Sequence, residues 1–290
     1  MYDHRFLMLI KFPSVGYSAA DVREVLRDTW AYMECAIGGD ANEPSRSDFF
    51  GLNSYSWCGD ATFKTSTYDQ LVGFFSGSTI PTFFSEYGCN KVKPRKFSEV
   101  QALYGPQMTV LSGGLVYEYS QEEADYGLVQ INGNGSISLF TDFDNLQSQY
   151  NKVNVTLLET TNSTATSLKP PTCGTSLIQS QSFDKNFTLP ATQAGSLIND
   201  GVPGAKQGKI VTVSATDMPV AVYASNGKPI SNLKLQQRSE QNVPGGSNTS
   251  GGTSGNGTSG TTKKGSAGSV SPLSALSMSL FAVLFGMMLL

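Results

Sequence analysis

A short apolar run that ends in a carboxylate, at residues 80–90, limits the possible folds of this sequence more than any other feature. The run Ile-Pro-Thr-Phe-Phe-Ser is followed by Glu86 and Tyr87, and Gly88 then allows a turn. Apolar residues without polar alternation are typical of a strand that is buried on both faces of a parallel sheet. Barrel enzymes carry a catalytic acid or nucleophile at the end of such a strand. An ordinary solvated carboxylate at a strand end is the alternative interpretation of Glu86.

Two neighbouring stretches, residues 48–59 and 111–121, repeat this pattern. Each is a short apolar run that ends in aromatic and polar side chains, with Tyr55 and Trp57 in the first and Tyr117 and Glu118 in the second. Aromatic faces stack on sugar rings, while Tyr, Asn and Glu hydrogen-bond to sugar hydroxyls. Three such strand ends predict a carbohydrate-binding cleft, although core packing remains the alternative role for Tyr55 and Tyr117.

The order of predicted elements favours an α/β fold with a parallel sheet. Helical spacing of Val22, Leu26, Trp30 and Met33 predicts a helix within residues 19–36. Further strands are predicted at 49–53, 82–85 and 114–117, two short strands within 125–139, and further helices at 68–76, 97–104 and 143–158. A small β-rich segment is predicted at 174–240, with strands at 209–215 and 220–224 and a turn at residues 225–227.

Charge and cysteine content exclude some classes of function. The net charge of −3 disfavours a nucleic-acid partner. The four cysteines are at positions 35, 58, 89 and 173; they form no Cys-x-x-Cys pair, and His4 is the only histidine in the sequence. A zinc site is therefore not indicated, and we expect no metal and no cofactor. The cysteines allow three disulfide pairings, with four free buried thiols as the alternative.

The C-terminal residues indicate secretion and a membrane anchor. Residues 241–268 are a Gly/Ser/Thr linker, and residues 269–290 are mostly apolar with no basic residue after them. The small residues near 265 predict attachment of a glycosylphosphatidylinositol (GPI) lipid at Gly265 or Ser266, whereas a transmembrane anchor is the alternative. Six N-glycosylation sequons also suit a secreted protein; they begin at Asn134, Asn154, Asn162, Asn186, Asn248 and Asn256.

Four blocks of the sequence resemble the fungal β-1,3-glucanosyltransferases of glycoside hydrolase family 72. They are Val-Gly-Tyr-Ser at 15–18, Asp-Phe-Phe-Gly-Leu-Asn-Ser-Tyr-Ser-Trp-Cys-Gly at 48–59, Phe-Ser-Glu-Tyr-Gly-Cys at 84–89 and Gly-Gly-Leu-Val-Tyr-Glu-Tyr at 113–119. The resemblance extends in order over roughly residues 14–173. It implies a (β/α)8 TIM-type barrel, of which this chain would hold strands five to eight.

The resemblance also implies a domain organisation. Residues 1–173 would be part of the catalytic barrel, 174–240 a small β-rich appendage, 241–268 a disordered linker and 269–290 the GPI-attachment signal. Residues 1–13 lack the features of a signal peptide, although the C-terminal residues indicate secretion. We therefore expect the N-terminus to be truncated or to derive from an incorrect gene model. The implied disulfides are Cys58–Cys89 and Cys35–Cys173.

The implied activity is retaining transfer of β-1,3-glucan at the outer face of the plasma membrane and in the cell wall. Glu86 would be the nucleophile, and Tyr55 and Tyr117 would contact the sugar, with a tyrosine hydroxyl orienting Glu86. Asp21 would either bind the sugar or complement a helix dipole. The partner acid is expected in an Asn-Glu pair at a strand end, but the only such pair, Asn42-Glu43, lies in a loop.

We therefore expect little or no transferase activity, and poor stability, from this chain alone. The alternatives to a transferase are a hydrolase of the same fold and a non-catalytic, GPI-anchored glucan-binding or structural wall protein. The sequence leaves the oligomeric state open.

Overall fold

The computed structural model describes residues 14–43, 45–154, 157, 168–187, 196, 200, 202–204 and 216–234. Its strands are β1 (Gly16–Ala20), β2 (Phe49–Asn53), β3 (Thr82–Tyr87), β4 (Gly114–Val116), β5 (Val129–Ile131), β6 (Ile137–Leu139) and β7 (Val222–Tyr223). Its helices are α1 (Arg23–Glu34), α2 (Tyr68–Phe75), α3 (Glu99–Leu103) and α4 (Thr141–Tyr150), and two short 3-10 turns lie at Ile37–Gly39 and Pro106–Met108.

The central feature is a four-stranded sheet in which the strands follow the order β1-β2-β3-β4 and every neighbouring pair is parallel. The α/β architecture that the alternation of elements predicts is therefore confirmed. Because all four strands run the same way, their carboxyl ends meet at one edge of the sheet. Ala20 pairs with Asn53 and Asn53 with Glu86 at that edge.

Some element bounds differ from the sequence prediction. β3 continues through Glu86 to Tyr87, because its pairing with β2 and β4 shifts register and adds residues at this end. α1 begins only at Arg23, because residues 16–20 pair with β2 as a strand. α4 ends at Tyr150, whereas the apolar spacing predicted a longer helix.

The helices cover one face of the sheet and form the core with it. Phe50, Leu52 and Phe84 point to this face and are fully buried. Trp30 of α1 contacts Phe75 of α2 edge-on, with ring centroids 5.8 Å apart. Burying a side chain of this size stabilises the fold by about 1.5–3 kcal/mol, so these aromatic contacts hold the helices on the sheet.

The other face of the sheet carries a polar row, since side chains alternate along a strand. Asn53 Oδ1 accepts hydrogen bonds from Ser18 Oγ at 3.1 Å and from Ser85 Oγ at 2.6 Å. Gly51 leaves the space that this row needs, because a Cβ at that position would lie 2.7 Å from Ser85 Oγ. The row joins β1, β2 and β3 close to their carboxyl ends.

Packing continues beyond residue 173, where a domain boundary is predicted. The backbone N–H groups of Gln179 and Ser180 donate to Asp28 of α1 at 2.9 and 2.5 Å, and Ile178 beside them is fully buried. β7 is the third strand of a second sheet, in which β6 pairs antiparallel with β5 and parallel with β7. The strand predicted at 209–215 lies outside the described residues, and so do residues 241–290 with the predicted lipid-attachment site at Gly265 or Ser266.

Two disulfides tie this arrangement together. They join Cys35 to Cys173 and Cys58 to Cys89, which is the pairing that the family resemblance implies. The sequence separations are 138 and 31 residues. In the chain-entropy model such closures stabilise a fold by about 5 and about 4 kcal/mol. None of the helices in the described part of the chain has the length and apolarity needed to cross a bilayer.

Glu99, the first residue of α3, makes stability depend on pH. It is 4% exposed, and burial raises its pKa from 4.5 to about 7. The folded state therefore holds this proton more tightly than the unfolded state. The stabilisation is complete below pH 4.5 and is lost as the pH rises to about 7. Over that window the free energy of unfolding should fall by at most about 3 kcal/mol.

Glu99→Gln keeps the shape of the side chain and removes its titration, so it should flatten this decline. Urea unfolding from about pH 4 to about pH 8 measures the effect. Glu122→Gln, at an exposed position, is the control and should leave the decline unchanged. Equal pH dependence in Glu99→Gln and the wild type would show that Glu99 does not hold a proton in the folded state.

Candidate active site

Three of the side chains predicted for the site come from adjacent strand ends. Glu86 is the second-last residue of β3, Tyr55 lies two residues after β2, and Tyr117 directly follows β4. Tyr55 Oη donates a hydrogen bond to Glu86 Oε2 at 2.5 Å. The structure thus brings together the carboxylate and a tyrosine hydroxyl, in the arrangement that the resemblance implies for orienting Glu86.

A third tyrosine, which the sequence did not predict, completes an aromatic cluster beside Glu86. The Tyr126 ring lies 5.4 Å from the rings of both Tyr55 and Tyr117, and those two rings are 6.4 Å apart. All three contacts are edge-on, which is a favourable geometry for aromatic rings. Tyr126 follows a polar loop without periodicity, so its spacing from the strand ends carried no signal. We call Tyr55, Tyr117 and Tyr126 the tyrosine cluster.

The phenol groups in this cluster resist ionisation. Burial raises the pKa of Tyr55, and the hydrogen bond to Glu86 and the charge of that carboxylate raise it further. The pKa of Tyr117 is also raised, chiefly by a hydrogen bond to Glu118 and then by burial. A phenol that keeps its proton remains a hydrogen-bond donor, so Tyr55 can hold Glu86 Oε2 at any ordinary pH.

Backbone contacts fix the loops around Glu86. Ser54 N–H donates to the carbonyl oxygen of Glu86 at 2.9 Å, directly beside Tyr55. The Cys58–Cys89 disulfide joins the loops that follow β2 and β3. Tyr55 and Glu86 are therefore held from both sides, which limits the freedom of each side chain.

Asp21 lies at the same edge, between β1 and α1. Its Oδ2 accepts hydrogen bonds from Ser54 Oγ at 2.8 Å and from Arg23 Nη2 at 3.0 Å, and its Oδ1 is paired with Arg23 Nε. The cationic partner of Asp21 is thus Arg23. These contacts link the loops after β1 and β2.

Two other carboxylates, Glu43 and Glu34, lie away from Glu86. Glu43 accepts hydrogen bonds from Ser45 in the loop that leads into β2. Glu34 accepts one from the N–H of Thr79, before β3 begins, and burial raises its pKa. Both positions precede strands, so they belong to the amino-terminal edge of the sheet, opposite to Glu86.

Glu118, which follows Tyr117, lies near the site, unlike Glu34 and Glu43. It is 9% exposed, and its Oε1 has no hydrogen-bond partner among the described residues. Within the same residues, no group of three His, Cys, Asp or Glu side chains could hold a metal ion. The site as described combines the carboxylate of Glu86 with a cluster of phenols, one of which, Tyr117, hydrogen-bonds to Glu118. This set of groups suits binding of a polyhydroxylated ligand.

The comparisons with known proteins agree on one family. Residues 10–154 match the family model Glyco_hydro_72, which is described as glucanosyltransferase. This range contains the four-stranded sheet, Glu86 and the whole tyrosine cluster. The match therefore covers the site described above and half of the chain.

Individual relatives match more of the chain than the family model does. This chain is 52% identical over 244 residues to 1,3-beta-glucanosyltransferase gel2 of Aspergillus fumigatus, and the match covers 82% of this chain and 50% of gel2. It is 42% identical over 224 residues to the probable 1,3-beta-glucanosyltransferase GAS3 of Saccharomyces cerevisiae, covering 74% of this chain and 43% of GAS3. The chain thus spans half or less of the length of these relatives.

Among solved structures, the crystal structure of Saccharomyces cerevisiae Gas2 in complex with a compound is similar to the structure of this chain. The TM-score is 0.51 at 32% identity, and the match covers 68% of this chain and 44% of Gas2.

The hydrogen bond between Tyr55 and Glu86 should be measurable as a coupling energy. In a double-mutant cycle, Tyr55→Phe and Glu86→Gln should be coupled by about 1–2 kcal/mol in the free energy of unfolding, because each removes the same charge-assisted hydrogen bond. Urea unfolding of the two single variants and the double variant gives this value.

A matched cycle of Tyr117→Phe with Glu86→Gln is the control. Tyr117 hydrogen-bonds to Glu118 instead, so this coupling should be close to zero. Equal coupling in the two cycles would contradict a specific bond between Tyr55 and Glu86.

Proposed function

We propose, on the premise that this chain belongs to the glucanosyltransferases of glycoside hydrolase family 72, that Glu86 is the nucleophile of a retaining β-1,3-glucan transfer. The hydrogen bond from Tyr55 to Glu86 at the strand ends is the observation that carries this proposal. The relatives named above as 1,3-beta-glucanosyltransferases support the substrate class.

The geometry suggests how the first step would proceed. Tyr55 engages Glu86 Oε2 and leaves Oε1 to attack the anomeric carbon of a glucose unit. The bond from that carbon to the leaving oxygen breaks as the ester to Glu86 forms. The aromatic faces of Tyr117 and Tyr126 would pack against the sugar and reduce the access of water. The 3-hydroxyl of an acceptor sugar then attacks the same anomeric carbon and gives its proton to the second carboxyl group of the mechanism. The bond from that carbon to Glu86 breaks, the carboxylate is restored, and a new β-1,3 linkage results.

A retaining mechanism also needs a second carboxyl group about 5–5.5 Å from the nucleophile. We propose that the four parallel strands are strands five to eight of a (β/α)8 barrel, and that a strand outside this set presents the acid. The sequential order of the strands and the helices on one face support this proposal. The match to about half of each relative supports it further. On unactivated glucan we expect the chain alone to have little activity.

The proposed location is the outer face of the plasma membrane and the cell wall. The small residues at 265–268 and the apolar residues 269–290 support a GPI lipid on Gly265 or Ser266. Release from intact cells by a phosphatidylinositol-specific phospholipase tests this location, and retention after the treatment would favour a transmembrane anchor.

A second candidate function is binding of glucan without catalysis. The observation that favours it is the tyrosine cluster beside Glu86, with Glu34 and Glu43 at the opposite edge of the sheet. Such a site could bind a glucan chain and still lack the acid that the reaction needs. The experiment below separates the two functions.

An activated donor tests the nucleophile independently of the acid. In 2-deoxy-2-fluoro-β-laminaribiosyl fluoride the fluoride leaves without protonation, and the 2-fluoro group slows breakdown of the ester. Mass spectrometry of the full chain should show one added laminaribiosyl group on the peptide that contains Glu86. Glu86→Gln should remove this labelling, because the amide is not a nucleophile of comparable strength.

Two controls define the result. Glu122→Gln should be labelled like the wild type, and the β-1,4-linked cellobiosyl analogue should label poorly. Binding of laminari-oligosaccharides without labelling would support the non-catalytic function. Labelling of a residue other than Glu86 would refute the proposed nucleophile.

A further inference from the structure

Arg95 is a fully charged side chain that the structure buries almost completely. It is 2% exposed and lies in the loop between β3 and α3. Its Nε donates to Asp142 Oδ2 of α4 at 2.6 Å, and its backbone N–H donates to Asp142 Oδ1 at 3.0 Å. Asn145 Nδ2, one turn along α4, donates to the Arg95 carbonyl oxygen at 2.8 Å. Side chains of α4 therefore hold both the guanidinium and the backbone of Arg95.

The remaining guanidinium N–H groups reach the loops that carry the site. Nη1 donates to the carbonyl oxygens of Tyr117 at 2.9 Å and Gly88 at 3.3 Å. Nη2 donates to those of Tyr126 at 2.5 Å and Gly127 at 3.3 Å. One side chain therefore holds the backbone at the end of β3, at the end of β4 and in the loop that follows β4.

The surroundings leave room for this one planar group. The guanidinium lies 4.7 Å from the centroid of the Phe97 ring and 5.9 Å from that of Tyr126. Gly88 has φ +113°, and a Cβ there would lie 3.4 Å from both Arg95 Nη1 and the Tyr117 carbonyl oxygen. Lysine carries a compact ammonium group that cannot satisfy this forked set of acceptors.

A buried ion pair alone is a weak source of stability, since desolvation offsets much of the attraction. The Arg95–Asp142 pair instead fixes the positions of the loops that it contacts. Two of the four carbonyl groups that Arg95 holds belong to Tyr117 and Tyr126, whose rings pack on each other and on Tyr55. Tyr55 in turn donates to Glu86.

We propose that Arg95, held by Asp142, is a positioning residue that keeps Tyr117 and Tyr126 in place beside Glu86 for binding of the glucan chain. This proposal rests on the proposed function for its ligand, but the geometric part can be tested without one. Arg95 itself does not touch the sugar; it acts through the backbone of the two tyrosines.

The first test is hydrogen–deuterium exchange on the full chain. Arg95→Lys should raise exchange at least fivefold in peptides that cover residues 117–128, where Leu128 N–H donates to the carbonyl oxygens of Glu118 and Tyr119. Asp142→Asn should act in the same direction, and it serves if Arg95→Lys does not fold. Unchanged exchange in 117–128 for the folded variants would overturn the proposal.

Two controls separate positioning from loss of stability. Lys96→Met removes the exposed neighbouring pair with Asp60 and should change nothing. Asp28→Asn weakens a buried contact to residues 179–180, away from the site. At matched global stability, equal exchange of 117–128 in Asp28→Asn and Arg95→Lys would mean a structural role only, and would also overturn the proposal.

The second test is the kinetics of labelling by the 2-fluoro laminaribiosyl fluoride. Arg95→Lys should raise the apparent dissociation constant of the donor at least fivefold while the rate constant of ester formation stays within threefold. The sugar-packing rings lose their support, whereas the Ser54 N–H bond to Glu86 and the Cys58–Cys89 disulfide still hold the carboxylate. A loss confined to the rate constant would overturn the assignment to binding. If the wild type is not labelled, the proposed function fails, and the exchange experiment still decides the role of Arg95.

Discussion

The register between β2 and β3 is the constraint on which the site depends. Asn53 pairs with Glu86, and Ser54 N–H donates to the Glu86 carbonyl oxygen, so Tyr55 reaches the carboxylate. The pairing shifts register between Gly51 and Asn53, and this irregularity places Glu86 on the face opposite to Phe84, although the two residues are only two positions apart. In a regular strand the alternation of side chains would turn Glu86 to the helix-covered face, where Phe50, Leu52 and Phe84 are buried. The irregular register thus fixes the position of a polar site.

Buried charge is handled in two different ways around this site. Five acceptors, one of them the carboxylate of Asp142, replace the water that the guanidinium of Arg95 loses on burial. Glu99 has no comparable set of donors among the residues that the structure describes, so burial raises its pKa to about 7 and the neutral acid is favoured. The difference lies in the loops: backbone carbonyl groups turn inward around Arg95, whereas the side chain of Glu99 meets the packed core.

The sequence predicts those parts of the structure that follow from local pattern. β2 occupies the predicted residues 49–53, because a short apolar run bounded by polar residues has few other solutions. Tyr55, Glu86 and Tyr117 could be predicted because each follows such a run directly. Tyr126 and Arg95 could not, since neither lies in a periodic segment. The contacts of Arg95 to Tyr117, Tyr126 and Asp142 span 22 to 47 residues of sequence, so tertiary packing alone reveals them.

The open face of the parallel sheet connects the fold to the proposed function. Leu115 of β4 points to this face and is 55% exposed, and β1 and β4 are the edge strands of the sheet within the described residues. In a closed barrel, edge strands are paired and the inward face is filled by side chains from all strands. The polar row of Ser18, Asn53 and Ser85 on that face would then lie inside the barrel, directly below Glu86. A hydrogen-bonded layer at that depth would support the nucleophile from beneath while Tyr55 holds it from the side. The same strands that leave an unpaired edge here would therefore give the carboxylate its rigid base in a complete barrel.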